Sequence, residues 1–253
     1  MWKFDSYVIC TSPRSGSTLL CKLLAATGVA GNPESYFHRP SVSEWLAYLG
    51  LASETSISES DTLATVFRAV IAKGSRDTGM FGLRLQRDSF DFFVQKLAVL
   101  HPEPASDPNR FEAAFGRTLF IHLTRLDKVE QAVSNVKAEQ TGLWHMAPDG
   151  TELERLAPPS TPVYSADEIR ARYYRLTASD REWTHWFEMQ GIAPLRITYE
   201  ALCSDPIRIL REILVRLGLT CDTANGVAPA VAKLADETNQ DWVARFRLER
   251  DIA

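Results

Sequence analysis

Cysteine is scarce in this chain, and the four present are scattered. Cys10, Cys21, Cys203 and Cys221 form no CxxC pair and stand near no histidine at zinc-ligand spacing, which excludes a disulfide-built scaffold and a zinc-binding module. They are expected to be reduced and buried, as in a cytosolic protein. No apolar run approaches the roughly 18 residues of a membrane span, and the N-terminus has no cationic stretch leading into an apolar one with a small-residue cleavage site. A cytoplasmic location without membrane insertion is therefore expected. Nor is there a surplus of positive charge. The 28 Lys and Arg against 32 Asp and Glu leave a formal net charge of −4, which argues against a general binder of nucleic acid or anionic membranes and leaves room for a local basic pocket. No cluster of His, Cys and carboxylates has ligand spacing, so no metal is expected, and there is no internal repeat.

What remains is an ordinary globular composition, 45% hydrophobic and 24% charged, in a chain long enough for a full core. A single domain over residues 1–253 is the simplest partition. An apolar run predicts a strand over 4–11, and leucines at helical spacing predict a helix over 17–27 closed by Gly28. GNPESYF (31–37) reads as a short extended piece, Ser41 and Glu44 as a capping box, and 60–73 as a helix stopping before Gly74. GMFGLRLQ (79–86) alternates as a strand, and FDFFVQKLAVL (90–100) has helical spacing. RTLFIHLTR (117–125) has the continuous apolar character of a strand buried on both faces, and Val129, Val133 and Val136 then recur at helical spacing.

Further on, Ser165 and Glu168 open a long helix reaching Gln190, with Trp183, Trp186 and Phe187 expected in the core. APLRITYEAL (193–202) is the last strand, Asp205-Pro206 starts a helix ending at Gly218, and a terminal helix begins at Asn239 or Asp241. Residues 141–163, holding Pro148, Pro158, Pro159 and Pro162, are expected to form a mobile loop. Strands alternating with helices predict an α/β fold with a mostly parallel central sheet and helices on both faces. In such sheets ligands sit at the carboxyl ends of the strands.

One strand end carries Ser12-Pro13-Arg14-Ser15-Gly16-Ser17-Thr18, directly before a helix. A loop in that place gathers unpaired N–H groups under the positive end of the helix dipole, which suits an anion. Gly16 allows close approach of the backbone, Ser15, Ser17 and Thr18 add hydroxyls, and Arg14 adds a forked charged donor fit for phosphate or sulfate oxygens. The bland alternative is a helix cap beside a surface arginine. The loop departs from GxxxxGK[ST]: it lacks the first glycine and the lysine after Gly16, and its basic residue precedes the glycine. That disfavours an ATP or GTP hydrolase.

SPRSGSTLL closely resembles the phosphosulfate-binding loop of sulfotransferases, which move a sulfonate group from 3′-phosphoadenosine 5′-phosphosulfate (PAPS) to an acceptor. LTRLDKVEQAVSNVKAEQTGLW (123–144) resembles the second element of those enzymes, a strand-ending arginine followed by a helix bearing a serine, and ITYEALCSDPIRILREILVRLGL (197–219) resembles their last strand and helix. ATGVAGNPESYF, AEQTGLW and LADETNQDWVARFR are most similar to the Stf0 type of bacterial sulfotransferase. The resemblance runs from about residue 7 to 247.

The resemblance implies a P-loop-like sulfotransferase fold, PAPS as donor with PAP as product, and sulfonate transfer without a metal. The acceptor it implies is the hydroxyl of a sugar, glycolipid or other small molecule. Arg14 and Ser15–Thr18 would hold the 5′-phosphosulfate, and Arg125 with Ser134 the 3′-phosphate. An ion pair from Arg125 to Asp127 or Glu130 is the alternative for that residue. In Stf0 enzymes a glutamate just after a glycine-proline turn is implicated as base; ungapped matching places Ser35 there, with Glu34 one residue earlier. Glu34 is taken as the base, against a surface carboxylate or a pair with Arg39, and His38 is held in reserve. His122, inside a buried strand, reads as a satisfied core histidine. Arg84 is expected near the sulfonate and Trp144 near a sugar or adenine ring. The terminal segment is expected to close over the nucleotide through Thr238 or Asn239. Gln86-Arg87 replaces a common Met-Trp, so trehalose itself is not carried over as substrate. Members of the family form dimers, which makes a homodimer an expectation. A small-molecule kinase and a catalytically silent PAP-binding protein are the competing readings.

Overall fold

The computed structural model describes residues 3–52, 58–103, 105–232 and 234–252. In chain order the elements are β1 (Ser6–Thr11), α1 (Ser17–Ala26), α2 (Val42–Leu49), α3 (Glu59–Ser75), β2 (Phe81–Gln86), α4 (Arg87–Leu100), α5 (Asp107–Phe115), β3 (Thr118–Thr124) and α6 (Lys128–Thr141). After these come β4 (Leu143–Met146), β5 (Glu152–Arg155), α7 (Ala166–Met189), β6 (Leu195–Thr198), α8 (Tyr199–Ser204), α9 (Pro206–Leu217) and α10 (Glu237–Ile252). Four strands form a parallel sheet in the order β2-β1-β3-β6. The GNPESYF segment adds a parallel bridge from Glu34 to Leu83 beside β2.

Alternation along β1 shows why the sheet is covered twice. Val8 and Cys10 join Leu83, Leu85 and the aromatic side chains of α3, α4, α5 and α7. Tyr7 and Ile9 face the other way, onto Leu20, Leu23 and Leu24 of α1 and Ile209, Ile213 and Leu217 of α9. Every residue of β1 is buried, as a central parallel strand requires. Burying one large apolar side chain contributes roughly 1.5–3 kcal/mol, against about 1 kcal/mol net for a backbone hydrogen bond, so the two packed faces hold the sheet more than the ladder does. A third cluster joins Val129, Val133 and Val136 of α6 to Ile169 and Leu176 of α7 and Trp242 and Phe246 of α10. The α/β expectation holds, and Trp183 and Phe187 are core residues while Trp186 packs against the core.

Several boundaries differ from expectation for identifiable reasons. The last strand stops at Thr198, whose hydroxyl accepts from the Ala201 N–H and starts α8 instead. α3 runs through Gly74, because that glycine serves close packing: a Cβ there would stand 2.6 Å from Phe81 Cε2. Residues 107–115 form a helix where none was expected, opened by Asp107-Pro108. α10 begins ahead of Asn239, with the Asp236 carboxylate accepting from the Asn239 N–H at 3.1 Å. The segment 141–163 is not one irregular loop: β4 and β5 pair antiparallel around Pro148-Asp149-Gly150, a turn sequence in which Asp149 accepts from the Thr151 N–H. Of the cysteines only Cys10 and Cys21 are buried; Cys203 is exposed and Cys221 half-buried, though all four are free thiols.

Candidate functional site

β1, β2 and β3 all end beside the Ser12–Thr18 loop. Arg14 and Gly16 have positive φ, 62° and 82°, a coiling of the backbone that forms anion-sized concavities. Glycine is needed at position 16 for a second reason: a Cβ would stand 2.7 Å from Tyr199 Cδ2. As the residue before α1, Gly16 supplies no side-chain acceptor, so no cap occupies the first N–H groups of the helix.

Below the loop lies its support. Trp183 Nε1 donates to the Thr11 carbonyl at 2.9 Å, and Gln131 Nε2 donates to the Pro13 carbonyl at 2.7 Å and to Ser12 Oγ at 3.0 Å. Ser15 is buried with its hydroxyl 2.5 Å from Thr11 Oγ1, so that hydroxyl braces the loop. Lys128 and Asp180 form a half-buried ion pair at 2.5 Å, and Ser12 Oγ donates to Asp180 at 3.4 Å.

Above the loop are the guanidinium groups. Arg14 donates through Nε to Ser134 Oγ at 2.9 Å and through Nη1 to the Trp144 carbonyl at 2.5 Å. Arg125, 5% exposed, donates to the Arg14 carbonyl at 3.4 Å and to Glu130 at 2.7 Å, and lies over the Tyr199 ring with 4.4 Å to the centroid. Its Nε is buried without a hydrogen-bond partner. Burial, and then the charge of Arg125, pulls the Arg14 pKa down to about 10, which leaves it charged at neutral pH. Arg14, Arg125 and Ser134 are thus brought together as the sequence implied. Glu130 is the acidic partner foreseen for Arg125, while Asp127 pairs with Arg247 of α10 instead.

The third arginine approaches from β2. Arg84 donates through Nε to Ser35 Oγ at 2.6 Å, and through Nη1 to Thr18 Oγ1 at 2.8 Å and Ser17 Oγ at 3.4 Å. Gln86 shares its strand face, since Arg84 and Gln86 are in register with Ile9 and Thr11, and its Oε1 is buried without a partner. Glu34 points elsewhere than Ser35. Its carboxylate accepts from Asn32 Nδ2 at 3.1 Å and from the Tyr48 hydroxyl at 2.9 Å. Burial, then the bond to Glu34, holds the Tyr48 pKa up to about 12, so it stays a donor. Arg39 does not pair with Glu34; it binds Glu44.

Other expected residues are less central. His38 is exposed, with Nδ1 3.2 Å from the Ser35 carbonyl and its ring beside Tyr48. Trp144 is half-buried and reaches the site through its backbone carbonyl. His122 is only half satisfied: Nδ1 is 3.2 Å from Arg196 Nη1, while Nε2 is buried without a partner. Asn239 accepts from Lys137 Nζ at 2.9 Å rather than reaching the loop. Two residues at the loop were missed. Gln131 is a fully buried amide three positions before Ser134, a spacing that shares a helix face, and His145 follows Trp144 directly, with Nε2 2.9 Å from Thr18 Oγ1. Among the described residues no group of three His, Cys or carboxylates is placed to hold a metal ion, and no helix is long and apolar enough to cross a membrane.

Comparison with known proteins adds the following. The sequence profile of the Stf0 sulphotransferase family matches residues 6–249. The chain is 30% identical to a trehalose 2-sulfotransferase of Mycobacterium tuberculosis strain Erdman, over 96% of this chain and 94% of that one. It is 29% identical, with the same coverage, to a trehalose 2-sulfotransferase of Mycolicibacterium smegmatis. Among solved structures, the sulfotransferase domain of the Synechococcus PCC 7002 olefin synthase matches with a TM-score of 0.48 at 15% identity, covering 95% of this chain and 86% of that domain. The sulfotransferase domain from the curacin biosynthetic pathway matches with a TM-score of 0.48 at 13% identity, covering 97% and 96%.

The geometry of the loop makes a first prediction. Gly16→Ala places a Cβ against Tyr199 in a left-handed backbone, a strain of roughly 1–3 kcal/mol. Urea denaturation should show a lowered midpoint with an unchanged slope; an unaltered midpoint would mean that the loop does not need glycine.

Proposed function

The chain belongs to the Stf0 sulphotransferase family, and on that premise we propose that it transfers a sulfonate group from PAPS to a hydroxyl of a carbohydrate or similarly hydroxyl-rich small molecule. The observation that carries the donor half is the convergence of Arg14 and Arg125 on one loop, with the Arg125 Nε buried and unpaired. Two guanidinium groups so close repel each other, and a buried N–H without an acceptor costs free energy; a bound anion relieves both.

In this reading the loop backbone and Arg14 hold the 5′-phosphosulfate, and Arg125 with Ser134 holds the 3′-phosphate. As the bond from sulfur to the phosphate oxygen breaks, negative charge grows on the leaving 5′-phosphate. Arg14 and the first N–H groups of α1 face it without having to reorganise, which is the effective form of electrostatic catalysis. Arg84, already bridging Thr18 and Ser35, aligns the sulfonate with the incoming hydroxyl. The Gln86 Oε1, on the same face, offers an acceptor to a second hydroxyl of the incoming molecule, in keeping with a polyol. Glu34 is the proton acceptor: its carboxylate is positioned by Tyr48 and Asn32, one residue from the Ser35 that Arg84 binds. Both mycobacterial relatives are named as trehalose 2-sulfotransferases, which supports a sugar acceptor. Gln86 makes the acceptor site polar, whereas Arg87 is engaged by Asp91 and Glu182, and trehalose is one candidate among sugars.

Thermal melting tests the donor assignment. PAP at a hundredfold excess over its Kd should raise Tm by about 5–10 °C, whereas Mg-ATP should not. Stabilisation by Mg-ATP alone would favour a kinase. For the base, Glu34→Gln should lower kcat by roughly 10²–10⁴ with PAP binding intact; turnover at the original rate would move that role to another residue.

A further inference from the structure

The hairpin of β4 and β5 brings to the loop a residue that none of the steps above uses. His145 Nε2 lies 2.9 Å from Thr18 Oγ1 and 3.4 Å from Oε2 of Glu154, its cross-strand partner on β5. Thr18 Oγ1 already receives Arg84 Nη1 at 2.8 Å. In the tautomer with the proton on Nδ1, the Thr18 hydroxyl, which keeps its own hydrogen while accepting from Arg84, donates to the unprotonated Nε2 of His145.

The charged groups facing the ring come from four elements: Arg14 from the loop, Lys22 from α1, Arg84 from β2 and Glu154 from β5. Burial first, then Arg14, Arg84 and Lys22, hold the imidazole pKa down to about 3, so it is neutral at working pH. Glu154 consequently stands at ion-pair distance from a ring that carries no charge. An anion on the loop acts on the charge side of that balance, while the burial stays. Its negative charge offsets Arg14 and Arg84, and its oxygens compete for the Thr18 hydroxyl, the one donor that His145 now holds.

We infer that His145 is a further residue of the donor site, releasing the Thr18 hydroxyl to the bound anion and taking one proton from solvent to become an imidazolium between that anion and Glu154. The proton balance is simple: the hydroxyl hydrogen turns from Nε2 to an anion oxygen, and Nε2 is refilled from water. This inference rests on the reading that the loop binds the phosphosulfate end of PAPS. It makes donor binding tighten as pH falls, because the complex then holds one proton more than the free protein. The second ionisation of a phosphate, near pH 6, works in the opposite direction, so the effect must be read against a variant.

The test is calorimetric titration of PAP into the full chain at about pH 6.5, in buffers of different ionisation enthalpy, for the wild type and for His145→Gln. Glutamine keeps a hydrogen-bonding group toward Thr18. The wild type should take up more protons than the variant on binding, by at most about one, and its affinity relative to the variant should fall by up to about tenfold per pH unit as pH rises. In wild-type protein labelled at histidine, one imidazole ¹⁵N signal should move to the protonated position when PAP is added, which keeps the test open if the variant fails to fold. Equal proton counts, or an imidazole that stays neutral in the complex, overturns this inference alone. No PAP binding at all overturns the donor reading and the inference with it.

Discussion

Guanidinium crowding against one short loop is the constraint on which the rest of the site depends. Arg14 is half-buried and stands beside Arg125, itself 5% exposed. Like charges brought together in partly buried surroundings repel, a cost the fold carries before any ligand arrives. It is carried by parts that serve little else: the left-handed turn at Arg14, the Ser134 hydroxyl, the Trp144 carbonyl, the face of Tyr199 and the single carboxylate of Glu130. A site arranged in advance in this way spends little on reorganisation when an anion binds or when charge develops on it.

The sheet explains how so many elements reach one spot. β1, β2 and β3 are parallel and in close register, so Thr11, Gln86 and Thr124 finish near one another and their following segments must turn in the same region. The last strand contributes indirectly. Because β6 stops at Thr198, Tyr199 starts α8 with its ring close to both Gly16 and Arg125. The antiparallel hairpin then covers the loop from above through Arg14, Thr18 and His145.

Much of this was legible in the residues. Alternation and capping boxes located the four strands of the parallel sheet and most helices, since Ser41, Ser165 and Asp205 do accept from the N–H groups three positions on. The loop was readable because hydroxyls, a glycine and an arginine between a buried strand and a helix have few other uses. What was not legible depends on distant pairings. Pro148-Asp149-Gly150 is a hairpin turn in plain view, but the flanking prolines masked it, and with it His145, whose meaning comes from touching Thr18 across the fold. Gly74 looked like a helix stop because the ring of Phe81, which requires it, cannot be placed from sequence. Ser35 and Glu34 show the limit most clearly: alternation says that they face opposite ways, but only the contacts with Arg84 and with Tyr48 show where each one points.

The central claim is that two arginines hold two separate phosphates of one nucleotide. The most direct measurement is the ratio of calorimetric affinities for PAP and for 5′-AMP, which lacks the 3′-phosphate, in the wild type and in Arg125→Ala. A charge-assisted contact contributes roughly 1.5–3 kcal/mol, so the account predicts that PAP binds at least about tenfold more tightly in the wild type and that the ratio falls toward one in the variant. Equal affinities in the wild type, or a ratio untouched by the loss of Arg125, would contradict it.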